Sequence, residues 1–180
     1  KFNKLKLIEM KEGKTMDSIF HRVSIRKYKK QPVEREKILQ ILKAGMQAPS
    51  ACNQQPWEFY VVTDREIIKK LSQSTPYAGC VAGAPVVIIP VYRTKGLPAS
   101  QMALIDMGIS LENMWLETDA LGLGGVCIGV APIPKFMDAV RKIVELPDDL
   151  EVFSLFALGY PDEERGQQER FEEERIHFIE

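Results

Sequence analysis

Three short stretches of this 180-residue chain carry side chains able to do chemistry. In "RVSIRKY", residues 22–28, Arg22, Ser24 and Arg26 alternate, so an extended backbone would turn all three to one side. Two guanidinium forks and a hydroxyl on one face suit a phosphate. A solvated basic strand, shared with Lys27, Lys29 and Lys30, is an equal reading. In "APSACNQQPW", residues 48–57, Ser50, Asn53 and Gln55 sit in a loop stiffened by prolines. Their amides and hydroxyl could meet the edge of a ring that both donates and accepts hydrogen bonds; ordinary turn chemistry is the simpler alternative. "GLGGVCIG", residues 122–129, invites comparison with a dinucleotide fingerprint. Cys127 holds the third glycine position, however, and the glycines follow a helix and open a strand, the reverse of what the fingerprint needs. A helix end and a tight turn remain, with a bare backbone over Gly125 to Gly129 that a flat ligand could approach.

Other chemistries find less support. A catalytic thiol at Cys52 needs a neighbouring base, and the two histidines, His21 and His177, lie near opposite ends of the chain. Cys52 is read as a small loop residue and the histidines as surface or packing groups. Neither histidine has metal-ligand spacing, and the three cysteines, Cys52, Cys80 and Cys127, form no C-x-x-C. An odd, scattered count points to reduced thiols and a cytoplasmic setting. Net charge is −1, which favours neither nucleic acid nor an anionic membrane. No apolar run reaches the ~18 residues of a membrane span, and the lysine-rich start lacks the apolar core of a secretion signal.

Several elements must position these groups. Residues 1–15 read as a weakly patterned arm, and 16–180 as one domain. Asp17 is a possible cap for a short helix that leads into an extended stretch around Val23 and Ile25. Ile38, Leu39, Ile41, Leu42 and Met46 recur at helical spacing, stopped by Pro49. Residues 57–63 read as a strand, after which Asp64 caps a helix. The apolar run 84–92 reads as a buried central strand, with Pro90 marking a bulge or its end. From about Gln101 to Leu121 a helix is apolar around most of its circumference, which predicts burial on nearly every face, one of them against a partner subunit. A helix over Pro134 to Glu145 and a buried strand "EVFSLFALGY" follow. "ERIHFIE" alternates like a terminal strand that needs an edge, its own or a partner's. Trp57 and Trp115 are read as core. Helices and strands alternate without a regular βαβ rhythm, so the expected class is α+β.

Taken in order, "RVSIRKY", "APSACNQQPW" with "EFYVV", "APVVI", "DMGISLENMWLETDALGLGGVCIG" and "LGYP" resemble the FMN-dependent nitroreductase family. The resemblance covers about Met16 to Phe178. It implies a mixed, mostly antiparallel sheet flanked by helices, in an intertwined homodimer with the long helix at the interface and two flavins contacted by both chains. It further implies that Arg22, Ser24 and Arg26 bind the FMN phosphate and ribityl chain. Pro49, Ser50, Asn53 and Gln55 would approach the same flavin from the other subunit, and backbone at Ile128 and Gly129 would lie against its reactive ring. Arg170 matches a late basic residue that completes the phosphate site; Gln168 and Glu169 stand where relatives often carry lysines, and Arg165 is a nearby substitute. The implied activity is hydride transfer from NADH or NADPH through FMN to a nitroaromatic, quinone or similar acceptor, with no dedicated side-chain acid or base. Flavin cleavage, reductive dehalogenation and a non-enzymatic flavin-binding role are the alternatives within the same scaffold. The short run from Tyr77 to Ala84 offers no lid of the kind the first two would need.

Overall fold

The computed structural model describes residues 18–179; the arm over 1–15, the start of the domain and the Asp17 cap lie outside the described residues. The centre is a sheet of five strands: β1 (Trp57–Val62), β2 (Val86–Arg93), β3 (Gly124–Gly129), β4 (Leu150–Val152) and β5 (Ser154–Gly159). Their order is β1-β2-β5-β3, with β4 also beside β2, and every ladder is antiparallel. One isolated parallel bridge, Ser24 with Gly125, makes the sheet mixed.

Both faces of the sheet are covered, which is why β2 and β5 read as unbroken apolar runs rather than alternating ones. Val87, Ile89, Leu155 and Ala157 face a core shared with α3 (Arg65–Leu71) and α5 (Pro134–Val144). Val86, Ile88, Phe156 and Leu158 face the opposite core with α2 (Arg35–Met46) and α4 (Ala103–Ala120). Pro90 neither ends its strand nor bends it. It pairs with Phe59 on one side, and its carbonyl accepts from Phe153 N–H at 3.0 Å on the other. Ile89 and Pro90 face the three residues Phe153, Ser154 and Leu155 between β4 and β5, because the register slips by one between the pairs Ile88–Phe156 and Val91–Val152. The expected bulge therefore lies in the chain opposite the proline.

Local chemistry explains the helix ends. The Asp64 side chain accepts from the Glu66 and Ile67 N–H groups and caps α3, as expected. Helix α4 ends at Gly122, whose φ of 72° suits glycine. Gly122 N–H donates to Asp119 O, and Leu123 N–H to Thr118 O, closing the helix with the paired bonds of a Schellman turn. Pro134 sits in the first turn of α5.

Helix α4 and the tail bear on two further expectations. Met107, Ser110, Leu111, Met114 and Thr118 of α4 are buried, and α2 packs close because Gly45 has no side chain to strike Met114. Within one chain, however, the stripe Leu104, Ile105 and Ile109 is 37%, 55% and 37% exposed. The single chain thus leaves open a stripe of α4, as expected of a helix with one side reserved for a partner subunit. The tail does not form a strand on an edge of its own chain. It makes one 3-10 turn, Glu173–Arg175, and joins no ladder. Phe171, Ile176 and Phe178 stay exposed, and within one chain the segment pairs with neither edge strand of the sheet, β1 or β3.

Candidate functional site

The first group of predicted residues lies where the segment after α1 (Ser18–His21) crosses the start of β3. Ile25 N–H donates to Gly125 O at 2.9 Å. This approach requires glycine, because a Cβ on Gly124 would stand 2.6 Å from Ile25 Cγ1. The buried Tyr28 hydroxyl lies 2.6 Å from Ile25 O and 3.1 Å from Ala157 O and donates to these carbonyls, tying the segment to β5. Burial raises its pKa well above the usual phenol value. On the other side, Glu163 accepts from Arg26 N–H at 2.6 Å and Lys27 N–H at 3.2 Å, and meets Arg165 at 3.4 Å. The Arg26 N–H bond is the main cause holding its carboxyl below the usual range.

The side chains of this segment diverge in their contacts. Arg22 lies over the Trp115 ring, 4.2 Å from its centroid, and its Nε meets Glu112 at 3.3 Å. That approach is ionic only, and Nε is buried with no hydrogen-bond partner among the described residues. Ser24 is half-buried and Arg26 exposed. Arg170 is exposed and donates to Gln168 at 3.0 Å; no hydrogen bond or ion pair joins it to residues 22–26 among the described residues. Arg165, through Glu163, is the late cation tied to that segment.

The second group is the loop before β1. Ser50 Oγ accepts from Gln55 N–H at 3.0 Å, and Asn53 Oδ1 from the Gln55 amide at 3.2 Å. Cys52, Asn53 and Gln55 all hold positive φ, 51°, 51° and 44°, and expose their side chains beside the exposed Pro49. Left-handed backbone costs about 1–2 kcal/mol at each such residue, so something must hold it. Asp106 does, accepting from Ala51 N–H at 2.9 Å and the Gln54 amide at 2.6 Å. Gln54 also exchanges two 3.0 Å bonds with the Ala99 main chain. Arg93 Nη2 donates to the Gln54 and Gln55 carbonyls at 2.9 and 2.8 Å. Sequence reasoning missed Gln54, Arg93 and Asp106 as supports; the one available signal was an acid in the first turn of a largely apolar helix.

A third feature is the far end of β3. Ile128 is buried, but Gly129 is exposed, and a Cβ there would meet nothing within 4 Å. The backbone is open to a flat ligand at that point. Burial pushes the thiol of Cys127, two residues before Gly129, up to about 11, which disfavours the reactive thiolate. Among the described residues no cluster of His, Cys, Asp or Glu could hold a metal ion, and no helix is long and apolar enough to cross a membrane. A separate groove of about 460 Å³ runs past Lys29, Lys30, Thr63 and Pro85. Its Arg65 is engaged by the carbonyls of Ala82 and Ala84.

Helix α4 relates the first two groups. Asp106 and Trp115 are nine residues apart on it, which is about 180° around the helix and about 14 Å along its axis. The amide loop and the Arg22 segment therefore engage opposite faces of one helix.

Comparison with known proteins bears on what such an arrangement does. The nitroreductase family model matches residues 19–76 and 73–160. The chain is 39% identical over 164 residues to an Archaeoglobus fulgidus protein assigned as an NADH dehydrogenase/NAD(P)H nitroreductase, covering 88% of this chain and 94% of the relative. A solved structure from Clostridium acetobutylicum assigned as an NADH oxidase superposes with a TM-score of 0.88 at 41% identity, covering 91% of this chain and 99% of the other. An FMN-dependent nitroreductase from Clostridium difficile superposes with a TM-score of 0.85 at 28% identity, covering 92% and 99%.

Proposed function

Because this chain belongs to the nitroreductase family, we propose that its FMN-dependent NAD(P)H oxidoreductase activity is exercised by a homodimer whose two flavin sites are each built from both chains. One chain supplies Arg22, Ser24 and Arg26 to the phosphate and ribityl chain, and the β3 backbone at Ile128 and Gly129 to the ring. The other supplies Pro49, Ser50, Asn53 and Gln55. Arg170 or Arg165 completes the phosphate charge. FMN, when bound, supplies hydride chemistry between NADH or NADPH and a nitroaromatic, quinone or similar acceptor. The side chains bind and orient it, and none need act as acid or base. The thiols, free at Cys52, Cys80 and Cys127, suit the cytoplasm.

The residues fit that cofactor. Among the described residues Arg22 Nε is buried without a hydrogen-bond partner, Gly129 opens the β3 backbone, and the Asn53 and Gln55 amides are exposed. The observation that carries the two-chain reading is the pair of opposed α4 faces. With the phosphate group on one side and the amide group on the other, one chain holds two half-sites rather than one site. The exposed stripe Leu104, Ile105 and Ile109 supports a second copy lying against α4.

Complementation tests this directly. Arg22→Ala removes the phosphate half, and Asn53→Ala with Gln55→Ala removes the amide half. Each variant alone should bind FMN poorly. Mixed dimers should regain one intact site, read as restored FMN binding and bleaching by NADH or NADPH. No recovery in verified mixed dimers would show that each site lies within one chain.

A further inference from the structure

Arg22 is the most firmly held cation of the phosphate half. Its guanidinium lies on the Trp115 ring, and that ring is braced at 5.8 Å and 60° by Phe156 of β5. Its Nε edge faces Glu112 at 3.3 Å. The Arg22 side chain is only 15% exposed, while Glu112 is 50% exposed. No hydrogen bond among the described residues occupies the two terminal nitrogens. One face and one edge of the guanidinium are thus engaged, and the terminal pair that could form a bidentate fork is left available.

We propose that Trp115 and Glu112 are positioning residues, which hold the Arg22 guanidinium in one orientation so that its terminal nitrogens meet the FMN phosphate already aligned. This rests on the reading that Arg22 contacts that phosphate. A face contact with an aromatic ring fixes the guanidinium plane while leaving all its hydrogen-bond donors unused. The carboxylate then sets rotation within that plane. Glu112 is a guide rather than a competitor, because a half-exposed ionic contact at 3.3 Å without a hydrogen bond is weak beside a phosphate dianion. Ordering the fork beforehand removes part of the entropy cost of binding.

The test is FMN affinity of the apo-protein, titrated by flavin fluorescence, alongside the apo-protein's Tm and oligomeric state. Trp115→Leu should raise the FMN Kd roughly tenfold. Trp115→Phe should restore most of the affinity, since a ring face remains and Trp115 Nε1 makes no hydrogen bond among the described residues to lose. Glu112→Gln should weaken binding by a smaller factor, roughly threefold. Once Arg22 is replaced by alanine, Trp115→Leu should no longer change Kd, a non-additivity that a merely structural tryptophan would not produce. An equal Trp115→Leu effect with and without Arg22 would overturn the proposal. Tighter binding in Glu112→Gln would overturn it too, by making the carboxylate a competitor. If Trp115→Leu impairs folding, Trp115→Phe and Glu112→Gln still decide it: tight binding in the first with weakened binding in the second supports it, and any other pairing overturns it. Failure of the wild-type protein to bind FMN is a different result, and it would sink the flavin site itself.

Discussion

The buried carboxylate of Asp106 accepts a 2.6 Å hydrogen bond from the side-chain amide of Gln54, joining the first turn of α4 to the loop that precedes β1. The same carboxylate takes the Ala51 N–H, so one acid holds both ends of the left-handed turn at Cys52 and Asn53. Asp106→Ala removes an acceptor from the half-buried Ala51 N–H and from the buried Gln54 amide. A hydrogen bond to a charged group contributes about 1.5–3 kcal/mol, so the variant should lose at least about 2 kcal/mol in chemical denaturation. It should also lose FMN affinity. A variant of wild-type stability would remove Asp106 as the support of the loop.

Two glycines on one strand make opposite predictions. At Gly124 a Cβ meets Ile25 at 2.6 and 2.7 Å, so Gly124→Ala must push the Arg22–Tyr28 segment off β3. Overpacking of this kind costs about 1–3 kcal/mol. At Gly129 a Cβ enters open space. Gly129→Leu should therefore keep its Tm within a few degrees while reducing FMN binding, because the new side chain takes the surface where the ring would lie. Equal stability loss in both variants would contradict the difference in their surroundings.

Glu163 gives a pH signature. Its folded pKa is depressed, chiefly by the Arg26 N–H bond, below an ordinary value of 4.5. A depressed carboxyl pKa contributes stability that is fully present above the unfolded value and is lost as pH falls through the folded value. Glu163→Gln should thus be less stable than wild type at pH 7. The gap should narrow as pH drops below about 4.5 toward the folded pKa. Thermal melts of both proteins from pH 7 to pH 3 check this, and a gap that stays constant with pH would exclude the carboxylate as the source.

The thiols should differ sharply. Cys52 is exposed, whereas burial raises the pKa of both Cys80 and Cys127. Brief alkylation of folded protein at pH 8, read by mass spectrometry, should label Cys52 and leave Cys127 unmodified. Cys52→Ser should retain FMN and turnover. Loss of turnover with FMN still bound would make that cysteine part of the chemistry.

Sequence by itself determined most of the elements. Asp64 announced α3, the glycines at 122–125 announced the end of α4 and the turn into β3, and the continuous apolar runs announced β2 and β5. These signals are local: a cap, a positive φ and a hydrophobic period act within a few residues. The α+β class was legible for the same reason, as were the two stretches to which the proposed phosphate and amide halves are assigned. Tertiary structure alone decided what holds those stretches. Asp106 reaches Gln54 across 52 positions, Glu163 reaches Arg26 across 137, and Trp115 meets Arg22 only because α4 packs beside the segment after α1. Hydrogen bonds and ring contacts at such separations leave no periodic trace in the chain. They depend on where helices come to rest on the sheet. The tail shows the same limit from the other side. Its alternation suits a strand, but a strand exists only where it reaches an edge, and within one chain the tail pairs with neither β1 nor β3, the strands at the ends of the sheet.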